Sequence, residues 1–113
     1  MNCLFCKIIA GEIPAQRVYE NDHVIAFRDI NPQAPVHVLL IPRRHIASLN
    51  ELAPDDTAAM GHLLAAAPAI ARQEGLADNG YRAVINTGAA AGQTVFHIHL
   101  HLLGGRPLGW PPG

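Results

Sequence analysis

A chain of 113 residues with nine acidic and eight basic side chains carries a formal charge of −1, and its cations are scattered, which excludes the basic patch of a nucleic-acid binder. Half of its residues are apolar, yet no uninterrupted apolar run approaches the ~20 residues needed to cross a bilayer. A single domain, 1–113, of this length folds without a disulfide framework, and two cysteines with no basic leader before an apolar stretch suggest a reducing, cytoplasmic setting.

Residues 4–10 read as a short helix closed by Gly11, before a turn at Pro14. Arg17 to Glu20 and His23 to Asp29 read as two strands around the turn residues Asn21 and Asp22. Asn31-Pro32 and Pro35 punctuate a turn, and Val36 to Ile41 form a third strand ended by Pro42. A long helix is expected from about Pro54 to Glu74: Pro54, Asp55 and Asp56 suit its first turn and Gly75 its end, while Pro68 should kink it. From Thr57 to Ala71 only Thr57 and His62 are polar, so the helix has apolar surface for a sheet on one side and for a partner subunit on another. Tyr81 to Asn86 and Val95 to Leu103 supply two more strands. Clustered strands around one long helix predict an α+β fold with a five-stranded, mainly antiparallel sheet.

The last strand carries the chemistry. Strand alternation places His97, His99 and His101 on one face, about 6.7 Å apart from one to the next, with Phe96, Ile98, Leu100 and Leu102 on the other. Imidazole serves as nucleophile, acid, base or metal ligand. A phosphorus centre suits His99 best, because a neutral imidazole attacks it while its neighbours stabilise the charged oxygens. The preceding loop fits an anion: Gly88 and Gly92 let backbone N–H groups approach closely, and Gln93 and Thr94 bring an amide and a hydroxyl beside them. No Walker loop is present. Cys3-Leu4-Phe5-Cys6 reads either as a zinc half-site needing two further ligands, for which His45 and one triad histidine are the economical donors, or as a redox pair. His37 could face the triad, Asp29 could accept hydrogen bonds from a ribose diol, and His23 and His62 read as ordinary surface residues.

The segments from Phe27 to His37 and from Gly92 to Arg106, which includes His97-Ile98-His99-Leu100-His101-Leu102-Leu103, together resemble the histidine-triad (HIT) superfamily; the ending Trp110-Pro111-Pro112-Gly113 is similar to its Hint branch of nucleotide-binding phosphoramidases. The resemblance implies a homodimer in which two five-stranded sheets join into one of ten strands. It implies a purine nucleotide with its base among Leu4, Phe5, Phe27 and Ile30, its ribose on Asp29, and its α-phosphate near Asn86, Gly92, Gln93, Thr94 and His101. It further implies that His99 attacks the α-phosphorus of a nucleoside phosphoramidate or acyl nucleotide to give a nucleotidyl-histidine that water cleaves, with His37, His97, His101 and Thr94 orienting and polarising. Structural zinc on Cys3, Cys6, His45 and His97 is implied too. Dinucleoside polyphosphate hydrolysis, as in the Fhit branch, and a nucleotide-dependent interaction role with incidental hydrolysis are the competing readings.

Overall fold

The computed structural model describes residues 2–113. Helix α1 spans Leu4–Ile9, β1 Arg17–Glu20, β2 Val24–Arg28, β3 Val36–Pro42, α2 Thr57–Gln73, β4 Tyr81–Val84 and β5 Leu100–Gly104. The strands form one antiparallel sheet in the order β1-β2-β3-β5-β4, which leaves β1 and β4 as edges.

Alternation along the strands sorts side chains onto two faces. Val24, Ala26, Val38, Leu40, Leu100 and Leu102 pack against Leu63, Ala66, Ala67, Ile70 and Ala71 of α2. On the opposite face Ile25, Phe27, Leu39 and Ile41 pack against Cys3, Phe5 and Ile8 of the α1 region. The sheet therefore has two cores, and His37, His97, His99 and His101 belong to the side of α1.

The long helix begins one turn later than the sequence suggests: Pro54–Asp56 form a 3₁₀ turn, whose Asp56 carboxylate accepts from the Ala53 N–H at 2.9 Å. Gly75, at φ +75°, ends it in a conformation that side chains disfavour. The helix continues through Pro68; the missing proline N–H costs the Leu64 carbonyl its helical donor, on an outward side where water can replace it.

The expected strand from Val95 is corrected at its start. Pairing begins only at Leu100, opposite Leu40 of β3. Residues 95–99 are instead irregular chain docked onto the segment after β3, where the Ile98 N–H donates to the Ile46 carbonyl at 2.6 Å. Strand alternation therefore does not govern Phe96, which is 53 % exposed, whereas Ile98, Leu100 and Leu102 are buried as expected. Likewise the strand from Tyr81 ends at Val84, before Asn86.

Candidate functional site

A cavity of about 960 Å³, counting its open mouth, lies on the α1 side of the sheet. Leu4, Phe5 and Ile8 of α1, with Phe27 and Leu39 from the sheet, make one apolar wall; Asp29, Gly92, Thr94, His99 and His101 close the other end. Phe5 meets Phe27 edge-on at 5.4 Å and the His99 ring edge-on at 5.1 Å. Nine of the sequence-predicted residues thus share this lining: Leu4, Phe5, Phe27, Asp29, Ile30, Gly92, Thr94, His99 and His101.

Four others expected at the nucleotide or in the reaction lie elsewhere. His37 stands behind His101 on the neighbouring strand, with its Nε2 2.9 Å from the His101 Nδ1. His97 is fully buried and joins a different cluster. The Gln93 amide is spent inside the loop: its oxygen accepts from the Gly88 N–H at 2.9 Å, and its nitrogen donates to the carbonyls of Ala47 and Val95. Gln93 braces the loop that carries Gly92 and Thr94, and Gly92 turns that loop at φ +94°. Asn86 is not in the lining. Sequence reasoning missed seven lining residues, Ile8, Ile13, Pro14, Ala15, Arg28, Leu39 and Val95; for two the signals were there, since Ile8 lies one helical turn beyond Leu4 and Leu39 alternates with His37 and Ile41.

Backbone partners fix the proton order of the histidines. The Nδ1 of His99 lies 2.8 Å from the His97 carbonyl, which only accepts, so this nitrogen carries the proton and a neutral ring keeps its lone pair on Nε2. The Nδ1 of His37 accepts from the Gln33 N–H at 3.0 Å. A neutral His37 then holds its proton on Nε2, donates it to His101 Nδ1, and leaves His101 with its own proton on Nε2. The Asp29 carboxylate approaches the same His37 Nε2 at 3.4 Å and accepts from the Asn31 N–H at 2.9 Å. Burial pushes His37, His97 and His99 below the usual imidazole range. It pushes His101, which also faces His99 and His37, down to about 4. At neutral pH the site therefore holds one basic imidazole nitrogen, on His99, beside one imidazole N–H donor, on His101.

The second cluster is Cys3, Cys6, His45 and His97, whose donor atoms all lie within 4.8 Å of one another. The Cys3 Sγ is 3.5 Å from the His97 Nδ1, the Cys6 Sγ is 3.4 Å from the His45 Nδ1, and the two Nδ1 atoms are 3.2 Å apart. A tetrahedron with zinc–sulfur bonds of about 2.3 Å and zinc–nitrogen bonds of about 2.0–2.1 Å has edges of roughly 3.5 and 3.3 Å for those pairs. The residues fit the metal in number, kind and spacing. His97 is also prepared as a ligand: its Nε2 donates to the Pro42 carbonyl at 2.8 Å, which leaves Nδ1 deprotonated toward the cluster. Burial and the neighbouring Cys3 thiol push the Cys6 thiol up, the opposite of the depressed thiol that a redox pair uses.

His23 and His62 are exposed and stack on each other with ring centres 3.7 Å apart, away from both clusters. Among the described residues no helix is long and apolar enough to cross a membrane.

Fold and site define a histidine-based hydrolase. The chain belongs to the HIT domain family, whose sequence profile matches residues 10–108. It is 61 % identical over 110 residues to an uncharacterized HIT-like protein of Synechococcus elongatus, covering 97 % of this chain and 96 % of that one. It is 52 % identical over 106 residues to the purine nucleoside phosphoramidase of Escherichia coli K12, covering 94 % of this chain and 89 % of that enzyme. The crystal structure of a HIT family hydrolase from Legionella pneumophila superposes with a TM-score of 0.96 at 54 % identity, covering 99 % of this chain and all of that one.

Proposed function

We propose that this chain is a purine nucleoside phosphoramidase of the Hint type, acting through a covalent nucleotidyl-His99 intermediate. The observation that carries the reading is the proton order: it leaves a basic Nε2 on a histidine lining an apolar cavity of nucleotide size. The base lies against Leu4, Phe5, Phe27 and Ile30, the ribose diol donates to Asp29, and the α-phosphate sits by Gly92, Thr94 and His101. Gln93 braces the phosphate loop from outside the cavity.

In the first step the His99 Nε2 lone pair forms a bond to the α-phosphorus as the P–N bond breaks. The amine leaves with a proton taken from the Thr94 hydroxyl, which solvent water reprotonates, and the Nδ1–H of the now cationic imidazole keeps its carbonyl partner. The His101 Nε2–H donates to a phosphoryl oxygen, and His37 holds His101 in the tautomer that can do so. Water then cleaves the phosphorus–His99 bond and releases the nucleoside monophosphate. Zinc on Cys3, Cys6, His45 and His97 supplies structure, because four protein ligands leave no open position for water. Release of AMP and ammonia from adenosine 5′-phosphoramidate tests the reading. Cleavage of diadenosine polyphosphates in its place would move the chain to the Fhit reaction.

The same reading carries a cytoplasmic homodimer joined through β4 and α2. β4 is a sheet edge, and the outward side of α2 exposes Ala58, Gly61, Leu64, Ala65 and Pro68 with Leu64 54 % exposed. An exposed apolar helix face and an open sheet edge each suit a second copy. Leu64→Glu is expected to convert the dimer to monomer in size-exclusion chromatography with light scattering; an unchanged mass would place the interface elsewhere.

A further inference from the structure

We propose that the Cys3–Cys6–His45–His97 cluster, filled by a metal ion, is the clamp that holds the base-binding wall in place, so that nucleotide affinity depends on the metal. The inference rests on the nucleotide reading of the cavity and concerns four side chains that take no part in making or breaking bonds at phosphorus, although the His97 backbone carbonyl holds the His99 Nδ1–H.

The two functions share one turn and a half of helix. Cys3 and Cys6 are cluster donors, while Leu4, Phe5 and Ile8, between and just beyond them, line the cavity. Cys3 is also the N-cap of α1, and its sulfur accepts from the Cys6 N–H at 3.3 Å. A six-residue helix is far below the length that holds itself together in water, roughly 12–15 residues. Apart from the cluster, α1 is held by the burial of Phe5 and Ile8 in the smaller core and by Arg17, whose guanidinium donates to the Ile8 carbonyl at 2.7 Å. Leu4, the wall residue between the two cysteines, is 45 % exposed and adds little of its own. The other two donors, His45 and His97, sit on the chain that leaves β3 and on the segment leading into β5. A metal therefore ties α1 to the rigid sheet at both of its cysteines.

The larger core explains why the effect is local. α2 and the far face of the sheet pack through residues that include neither α1 nor any cluster member. Opening the cluster frees α1 and leaves that core intact.

The test uses the zinc-loaded wild-type protein, the same protein stripped by a chelator, and Cys6→Ser and Cys6→His variants. AMP binding is read by calorimetry, and backbone protection of residues 4–9 and of β3 and β5 by hydrogen exchange. Stripping and Cys6→Ser are expected to weaken AMP binding by about tenfold or more, the equivalent of losing contact over roughly 55 Å² of apolar surface. Protection should fall in residues 4–9 while β3 and β5 keep theirs, and zinc re-addition or the alternative ligand in Cys6→His should restore both readouts. Unchanged AMP affinity on stripping overturns the proposal, as does a uniform loss of protection across the sheet, which would make the metal a general fold staple. Should the loaded wild type itself fail to bind AMP, the nucleotide reading falls before the cluster is touched, so the two failures are distinct.

Discussion

His99→Ala is expected to lower turnover of adenosine 5′-phosphoramidate by roughly 10⁴- to 10⁶-fold, the scale seen when a covalent nucleophile is removed, while AMP still binds. The two halves of the expectation have separate causes. Turnover is expected to depend on the only triad nitrogen left basic within the cavity by the backbone: Nδ1 of His99 is committed to the His97 carbonyl, His101 presents a proton through its bond to His37, and His97 points into the cysteine–histidine cluster. No neighbour can take over. Affinity depends on the apolar wall of Leu4, Phe5, Ile8, Phe27 and Leu39, which the substitution leaves standing. The His99 ring packs edge-on against Phe5 and is 8 % exposed, so thermal unfolding of the variant should be measured alongside. Quenched single turnovers should give the wild type a nucleotidyl adduct on the peptide containing His99, absent from the variant. A variant that hydrolyses substrate at the wild-type rate would end the covalent mechanism.

Most of the scaffold was legible because its signals are local. Alternation placed β2 and β3, apolar continuity placed α2, and Gly75 ended it where a positive φ was needed. The four cluster residues were legible as a set through the family resemblance, and their spacing in the structure accords with it. The irregular segment 95–99 was not legible. Its sequence alternates as a strand would, yet its path is set by bonds to chain far away in sequence: Ile98 to the Ile46 carbonyl and Gln93 to the Ala47 carbonyl. Local pattern cannot encode a partner of that kind, and two errors followed. Alternation puts Phe96 on one face with Ile98, Leu100 and Leu102, yet it is exposed where they are buried; Gln93 spends on the loop the amide that its position offers to a ligand.

That irregular path also explains the division of labour among the three histidines. On a regular strand they would share one face and one environment. Leaving the sheet before Leu100 turns His97 into the interior, where Pro42 and the cluster take both its nitrogens, and lets its carbonyl orient His99. One residue thus links the cysteine–histidine cluster to His99 through its own backbone. His101, already in β5, is held by its cross-strand neighbour His37.

Acidification should destabilise the protein between pH 6.5 and 4, and His101 should account for a separable part of the loss. Burial first, then the neighbouring rings of His99 and His37, hold His101 at about 4 against an ordinary value of 6.5, with only the Asp29 carboxylate acting to raise it. Because the folded value lies below the unfolded one, the unfolded chain binds more protons throughout that window. Stability from this group is fully present above pH 6.5, falls as the pH drops toward 4, and changes no further below. The full effect is of order 3 kcal/mol, and His37, His97 and His99, depressed mainly by burial, act in the same sense. Glu74, held below its ordinary 4.5 by the Arg28 guanidinium, loses its contribution only at lower pH, so urea unfolding between pH 6.5 and 4.5 reads the histidines without it. His101→Asn keeps an acceptor for the His37 Nε2–H but cannot titrate, and should flatten the curve over that range. If wild type and variant lose stability in parallel, folded and unfolded chains protonate His101 alike, and burial does not hold the ring neutral below pH 6.5.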